Sequence, residues 1–132
     1  MMQQQSNVDR AKIMKSVEHD LVEIMRAQGL NPAECLACAS IILLRFVALA
    51  TASIDDDEKA LAKFHSYMHS LEPQYRNVRK SALENLSPAL RVFAGMAFKM
   101  GVASTSENIK THHRAIWDQV ERLGKEGGDA TE

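Results

Sequence analysis

Residues 35–50, CLACASIILLRFVALA, are the strongest indication of the architecture, because all but two of these 16 residues are apolar. A helix that is apolar around its whole circumference has to be surrounded by other apolar groups. Asn31 can cap such a helix, Pro32 fits its first position, and Glu34 stands where a capping-box acid reaches back to the cap amide. The sequence therefore predicts a buried central helix over about residues 32–53.

A membrane span is the alternative interpretation of this stretch, since about 20 apolar residues cross a bilayer. Its eight strongly apolar side chains favour insertion by roughly 0.3–0.6 kcal/mol each, whereas Arg45 near the centre costs about 2.5–3.5 kcal/mol. These contributions nearly cancel. Because the other segments carry apolar stripes that need a partner, we expect the central helix to be surrounded by protein rather than by a membrane.

Five further segments have the three- and four-residue apolar spacing of amphipathic helices. They cover about residues 8–28, 55–71, 74–86, 88–100 and 105–123. Capping residues, glycine or proline bound them, and Gly29, Gly101 and Gly124 are predicted to end three of these helices. Since no strand-like alternation is present, the predicted fold is all-α, a single antiparallel bundle of five to six helices around the central one.

Length and composition indicate one ordinary globular domain, since 132 residues with 45% hydrophobic and 25% charged side chains can form a core unaided. We expect a flexible N-terminus at 1–7, the helical bundle at 8–124 and a disordered tail at 125–132. The net charge of −1 gives no long-range attraction for nucleic acid or anionic lipid. Residues 1–7 lack a signal-like apolar segment, so a cytoplasmic location is expected.

Two pairs of potential metal ligands give one alternative function. Cys35 and Cys38 share a side of the central helix, and His65 and His69 stand one turn apart on the next helix, so together they suggest a zinc or redox site. Helical alkylhydroperoxidase-type proteins carry such a cysteine pair followed by a histidine one turn later, but here that position is Ile42. The main prediction is that the cysteines are core thiols and that the protein uses no metal or other cofactor.

A second alternative is a helix-turn-helix DNA-binding regulator that uses helices 88–100 and 105–123. The start of the latter carries side chains suited to bases and phosphates, namely Ser106, Asn108, Lys110, Thr111 and Arg114. The near-neutral chain has no basic stripe, however, and phosphate neutralisation supplies most of the affinity of such proteins. Binding to nucleic acid is therefore not the leading prediction.

Arg45 interrupts the apolar central helix, and a buried guanidinium needs an acidic partner to offset its desolvation. Asp20, Glu58 or an acid of another subunit could provide that partner. We expect Arg45 to form a structural ion pair.

The leading functional prediction is a small, non-catalytic interaction protein. No nucleophile elbow or recognisable pair of catalytic carboxylates is present, so an enzyme is not expected. Helices 32–53 and 88–100 carry more apolar surface than a small bundle covers, which favours a homodimer that regulates a partner protein by binding it. The predicted partner-binding residues are Phe93, Met96, Phe98, Met100 and Trp117.

Overall fold

The computed structural model describes residues 2–129, with side chains from Val8 to Lys125. Within that range the chain is 86% helical and has no strand, which confirms the predicted all-α class. Two compact units are present, Met1–Asn31 and Pro32–Glu132, with their boundary inside the predicted domain 8–124. The seven helices in the described range are α1 (Met2–Ala27), α2 (Pro32–Ala50), α3 (Asp57–Ser70), α4 (Glu72–Glu84), α5 (Pro88–Ser104), α6 (Glu107–His112) and α7 (Arg114–Asp129).

Helix α1 forms the first unit and ends at the glycine that the sequence predicts. Gly29 has φ +74°, its amide donates to the Arg26 carbonyl at 3.0 Å, and the Leu30 amide donates to the Met25 carbonyl at 3.1 Å. These two hydrogen bonds form a Schellman motif, which satisfies carbonyls at the helix end. The helix begins at Met2 rather than Val8. The flexibility predicted for 1–7 stays a prediction, since the side chains of these residues lie outside the described part.

A three-helix contact between α2, α5 and α7 forms the core of the second unit. Ala33 and Ala37 on α2 are buried with Trp117 and Val120 on α7, and Phe98 of α5 packs against this cluster. Small alanine side chains on one face of α2 leave room for the indole ring next to them. The N-terminal half of α2 is therefore held between two other helices.

The burial predicted for the whole central helix is wrong outside one face of its N-terminal half. Helix α2 ends at Ala50, where the Thr51 hydroxyl donates to the Val47 carbonyl at 2.9 Å, and not at residue 53. Only Ala33 and Ala37 of α2 are buried, while Phe46 is 66% and Leu49 71% exposed. Among the described residues, α2 is the one helix long and apolar enough to cross a membrane by length and composition.

Two glycines that are predicted to end helices lie inside them. Gly101 is buried within α5, which continues to Ser104 rather than ending at Met100. Gly124 lies within α7, and a Cβ added there would stand 3.4 Å from two ring atoms of Phe98. Glycine in a helix interior costs about 1 kcal/mol relative to alanine. Packing between α5 and α7 offsets this cost, and Gly124 allows the Phe98 ring to approach the α7 backbone closely.

Helices α3 and α4 form a second layer that buries no residue of its own. Asp56 caps α3 by accepting a hydrogen bond from the Glu58 amide at 2.9 Å, so this helix begins at Asp57, two residues after the predicted start at 55. Helix α4 ends at Glu84, and Arg91 of α5 donates to the carbonyls of Leu83 at 2.7 Å and Leu86 at 3.2 Å. Arg91 thereby ties the end of α4 to α5.

The predicted single helix over 105–123 is divided in two at His113, whose φ of −140° and ψ of 58° interrupt the helical path. Ser106 caps the short α6 by accepting a hydrogen bond from the Ile109 amide at 3.4 Å, so this helix begins at Glu107, two residues after the predicted start at 105. Helix α7 runs to Asp129, beyond the predicted end at Gly124. The predicted disorder of 125–132 stays a prediction, since residues 130–132 lie outside the described part and side chains are described only up to Lys125.

Candidate protein-interaction surfaces

An apolar groove opens between α2, α3 and α7, with a volume of about 500 Å³. Its walls carry no charged side chain, and the Ser40 hydroxyl already donates to the Leu36 carbonyl at 2.8 Å. The lining residues are Leu36, Ser40, Leu43, Leu44, Phe64, Met68, Ala115, Ile116, Gln119, Val120 and Leu123. Because these walls have almost no free polar group, the groove is suited to an apolar occupant.

The groove is open because α3 packs mainly on α4, whereas α2 and α7 pack on each other and on α5. Phe64 and Met68 of α3 consequently face the core helices across open space. We call this cavity, with its continuation described next, the α2–α3–α7 groove.

A second cavity of about 300 Å³ continues along α2 and α3 and shares Leu43 with the first. It is lined by Leu43, Phe46, Val47, Ala50, Thr51, Lys63 and Tyr67. From Leu36 to Thr51 the two cavities follow about four turns of helix, or roughly 22 Å at 1.5 Å per residue. The groove is therefore long and narrow, and Lys63 places a cation near one end.

The outer face of α5 is the second apolar surface. Phe93 is 67% exposed, Met96 55% and Met100 67%, and Ala89 and Ala103 continue the same row. These five positions are separated by steps of four, three, four and three residues, the spacing of a helix–helix seam. We call these five residues the α5 seam.

The five predicted partner-binding residues are divided between surface and core. The structure places Phe93, Met96 and Met100 on the α5 seam, where they are accessible. Trp117 is only 3% exposed and Phe98 packs against the core cluster, so the prediction is wrong for these two residues. Their apolar rings are used to join α5 and α7.

Arg45 is exposed and, among the described residues, has no salt bridge, so the predicted structural ion pair is not found. The guanidinium requires no acidic partner because α2 leaves this face open to solvent. The sequence prediction failed because it assumed that the whole circumference of α2 is buried.

The cations assigned to DNA contact are engaged with carboxylates. Lys110 is 6% exposed and its Nζ lies 3.0 Å from Glu121 and 4.0 Å from Glu107. Arg114 donates to Glu107 at 2.7 Å and lies 3.9 Å from Asp118. The hydrogen bond from Arg114 lowers the pKa of the Glu107 carboxyl. With these pairs in place and the recognition helix broken at His113, the geometry disfavours the helix-turn-helix alternative.

The cysteine and histidine pairs do not assemble into a metal site in the described part of the chain, which contains no group of three or more potential ligands. Cys35 and Cys38 are half-buried thiols. Burial, together with Cys38 and Glu34, raises the pKa of the Cys35 thiol, which makes it a weaker nucleophile. His69 instead lies 3.6 Å from Glu72 on the neighbouring helix.

Comparison with family models, with curated protein sequences and with solved structures found no match.

The α2–α3–α7 groove was not predicted from the sequence. A signal was present, since Phe64 and Met68 form a narrow apolar stripe on α3 that needs a partner. Sequence spacing shows that such a stripe exists, but it does not show how far α3 stands from α2 and α7.

Proposed function

We propose that this protein is a non-catalytic, homodimeric interaction module that regulates a partner protein by binding one of its amphipathic helices in the α2–α3–α7 groove. The observation that carries this proposal is the cavity of about 500 Å³ without charged walls, together with its 300 Å³ continuation, which Lys63 lines.

The length of the groove favours a helix over a compact small molecule. A path of roughly 22 Å corresponds to about four helical turns, and an amphipathic helix presents an apolar side chain at each turn in the pattern i, i+3, i+4 and i+7. Leu43 stands at the junction of the two cavities, where it can contact the middle of such a helix.

Charge gives the proposed partner helix an orientation. The groove walls are uncharged near Leu36, while Lys63 lies near the other end. A cation is favourable beside a helix C-terminus or an acidic side chain. We therefore propose that the partner helix places its C-terminal turn, or an acidic residue, next to Lys63.

The experiment compares the wild-type protein with the Leu44→Glu and Met68→Glu variants as bait in native-cell extract. Both residues line the groove and are more than one-third exposed, so charge can be introduced without disrupting the core. Tyr75→Glu on the outside of α4 is the matched control. A protein retained by wild type and control but lost with both groove variants is identified by mass spectrometry.

A synthetic peptide covering the helix of that protein is then titrated against each variant. The proposal expects helical peptide to bind wild type and Tyr75→Glu, with binding weakened at least about tenfold by Met68→Glu, a difference of roughly 1.4 kcal/mol. Equal binding to all variants would contradict the groove assignment.

The composition of α2 defines a competing outcome, since this helix is able to cross a membrane by length and composition. Flotation of the purified protein with phosphatidylcholine vesicles would show that the exposed apolar half of α2 is covered by lipid. The interaction proposal requires that the protein does not float with the vesicles and is recovered in the vesicle-free fraction.

A further inference from the structure

We propose that two copies of this protein pair through the α5 seam, with the two α5 helices antiparallel and with Ala89 of one copy beside Met100 of the other. This inference rests on the homodimeric part of the proposed function and adds the surface, orientation and register.

The α5 seam lies on the face of α5 that α2 and α7 leave uncovered within the second unit. Its five residues, Ala89, Phe93, Met96, Met100 and Ala103, are all exposed, and the opposite face of α5 packs on α2 and α7. The charged residues of α5 do not obstruct it. Arg91 is turned back onto the carbonyls of Leu83 and Leu86, and Lys99 lies at the edge of the seam.

Side-chain volume favours the antiparallel orientation. In a parallel pair each seam residue would meet its own copy, so alanine would face alanine at both ends and Phe93 would face Phe93 in the middle. In the antiparallel pair Ala89 meets Met100 and Phe93 meets Met96, which places a small or flexible side chain opposite each large one. Ala103 lies beyond this overlap, level with Leu86 of the second copy. The two Phe93–Met96 layers also give favourable sulfur–aromatic contacts.

Electrostatics agree with this arrangement. Antiparallel helices place the positive N-terminus of each α5 beside the negative C-terminus of the other. The seam itself carries no charge, and Lys99 comes level with Leu90 of the second copy rather than with the second copy's own Lys99. No like charges are brought into contact.

The contact area predicts a reversible dimer. A helix of 17 residues is about 25 Å long and about 10 Å wide, so the strip that it offers is small compared with the 1,200–2,000 Å² of a standard interface. We therefore expect the fraction of dimer to depend on protein concentration rather than to be complete at all concentrations.

The first test is sedimentation velocity over a concentration series. Wild-type protein is expected to shift from monomer to dimer, and Met96→Glu is expected to raise the dissociation constant about tenfold or more because a carboxylate would enter an apolar contact. Val78→Glu on α4 is the matched control, since Val78 is similarly exposed outside the seam. A monomer at every concentration would overturn the pairing and the homodimer, while peptide titration of the groove tests partner binding separately.

The second test measures orientation by cross-linking with a short bismaleimide in a Cys35→Ala, Cys38→Ala background. Ala89→Cys and Met100→Cys proteins are expected to cross-link when mixed but not alone, because the same position in two antiparallel copies is 11 residues, or about 16 Å, apart along the axis. Cross-linking of each variant alone would indicate a parallel pair. A dimer without mixed cross-links would overturn this pairing and leave the homodimer standing.

Discussion

Trp117 provides the most direct test of the core. It is the single tryptophan of the chain and is 3% exposed between α2 and α5, whereas the sequence assigns it to a contact surface. The core around it is small, since Ala33, Ala37 and Val120 are the other buried apolar residues of the cluster. Trp117 therefore supplies a large share of the apolar area that joins the three helices.

The expected loss of stability on replacing Trp117 follows from the burial of its side chain. Replacing a buried aromatic side chain with alanine costs about 3–5 kcal/mol, because transfer free energy is lost and a cavity remains. The total stability of a domain is only about 5–15 kcal/mol. For a unit of this size, about 4–8 °C of melting temperature accompanies each kcal/mol. Trp117→Ala is therefore expected to lower the melting temperature by at least about 12 °C.

The assay is urea and thermal unfolding followed by far-ultraviolet circular dichroism, which does not depend on the tryptophan itself. Tyr75→Ala, on the exposed side of α4, is the aromatic control and should change stability by less than about 0.5 kcal/mol. A loss below about 1 kcal/mol for Trp117→Ala, or an equal loss for the control, would refute the assignment of Trp117 to the core.

Three further predictions concern ionisable groups. The hydrogen bond from Arg114 lowers the pKa of Glu107 in the folded protein. This pair therefore stabilises the fold fully at pH values above the ordinary pKa of a glutamate carboxyl. The stabilisation is lost as the pH falls through the lowered pKa of the folded state. A carbon-13 NMR titration should find the pKa of Glu107 below its value in the Arg114→Gln variant, and equal values would contradict the pair. Glu121→Gln should destabilise the fold by about 1–3 kcal/mol in urea unfolding, since it removes the nearer partner of buried Lys110. Lys110→Met should cost less, because methionine needs no counter-charge, so the reverse order would argue against this pairing. Burial raises the pKa of the Cys35 thiol, so site-resolved mass spectrometry should find its alkylation at pH 8 slower than that of a free cysteine peptide. The difference should disappear in urea, and a reaction in the folded protein as fast as that of the peptide would contradict the raised pKa of this half-buried thiol.

Local sequence signals predicted the helices well where the deciding interaction is itself local. Gly29 ends α1 because glycine adopts positive φ without steric cost, and this depends on no distant residue. Ser87 begins α5 because its hydroxyl accepts a hydrogen bond from the Leu90 amide three residues ahead. Such patterns were sufficient for the all-α class and for most helix starts.

The same local signals failed where packing outweighs them. Gly101 and Gly124 have the sequence character of helix stops, but contacts between α5 and α7 keep both inside helices. The interruption at His113 carries no glycine or proline that would mark it. Tertiary contacts of a few kcal/mol exceed the cost of about 1 kcal/mol for a glycine in a helix, so propensity alone does not decide these positions.

Residue spacing alone is enough to show that the chain is helical, that α2 is apolar all round and that α5 carries apolar side chains beyond one face. The tertiary structure decided which of those faces are covered, placing Trp117 in the core and leaving Phe46, Phe93 and Met96 accessible. Periodicity within a helix depends on neighbouring residues, whereas burial depends on the distance between helices that are far apart in the chain.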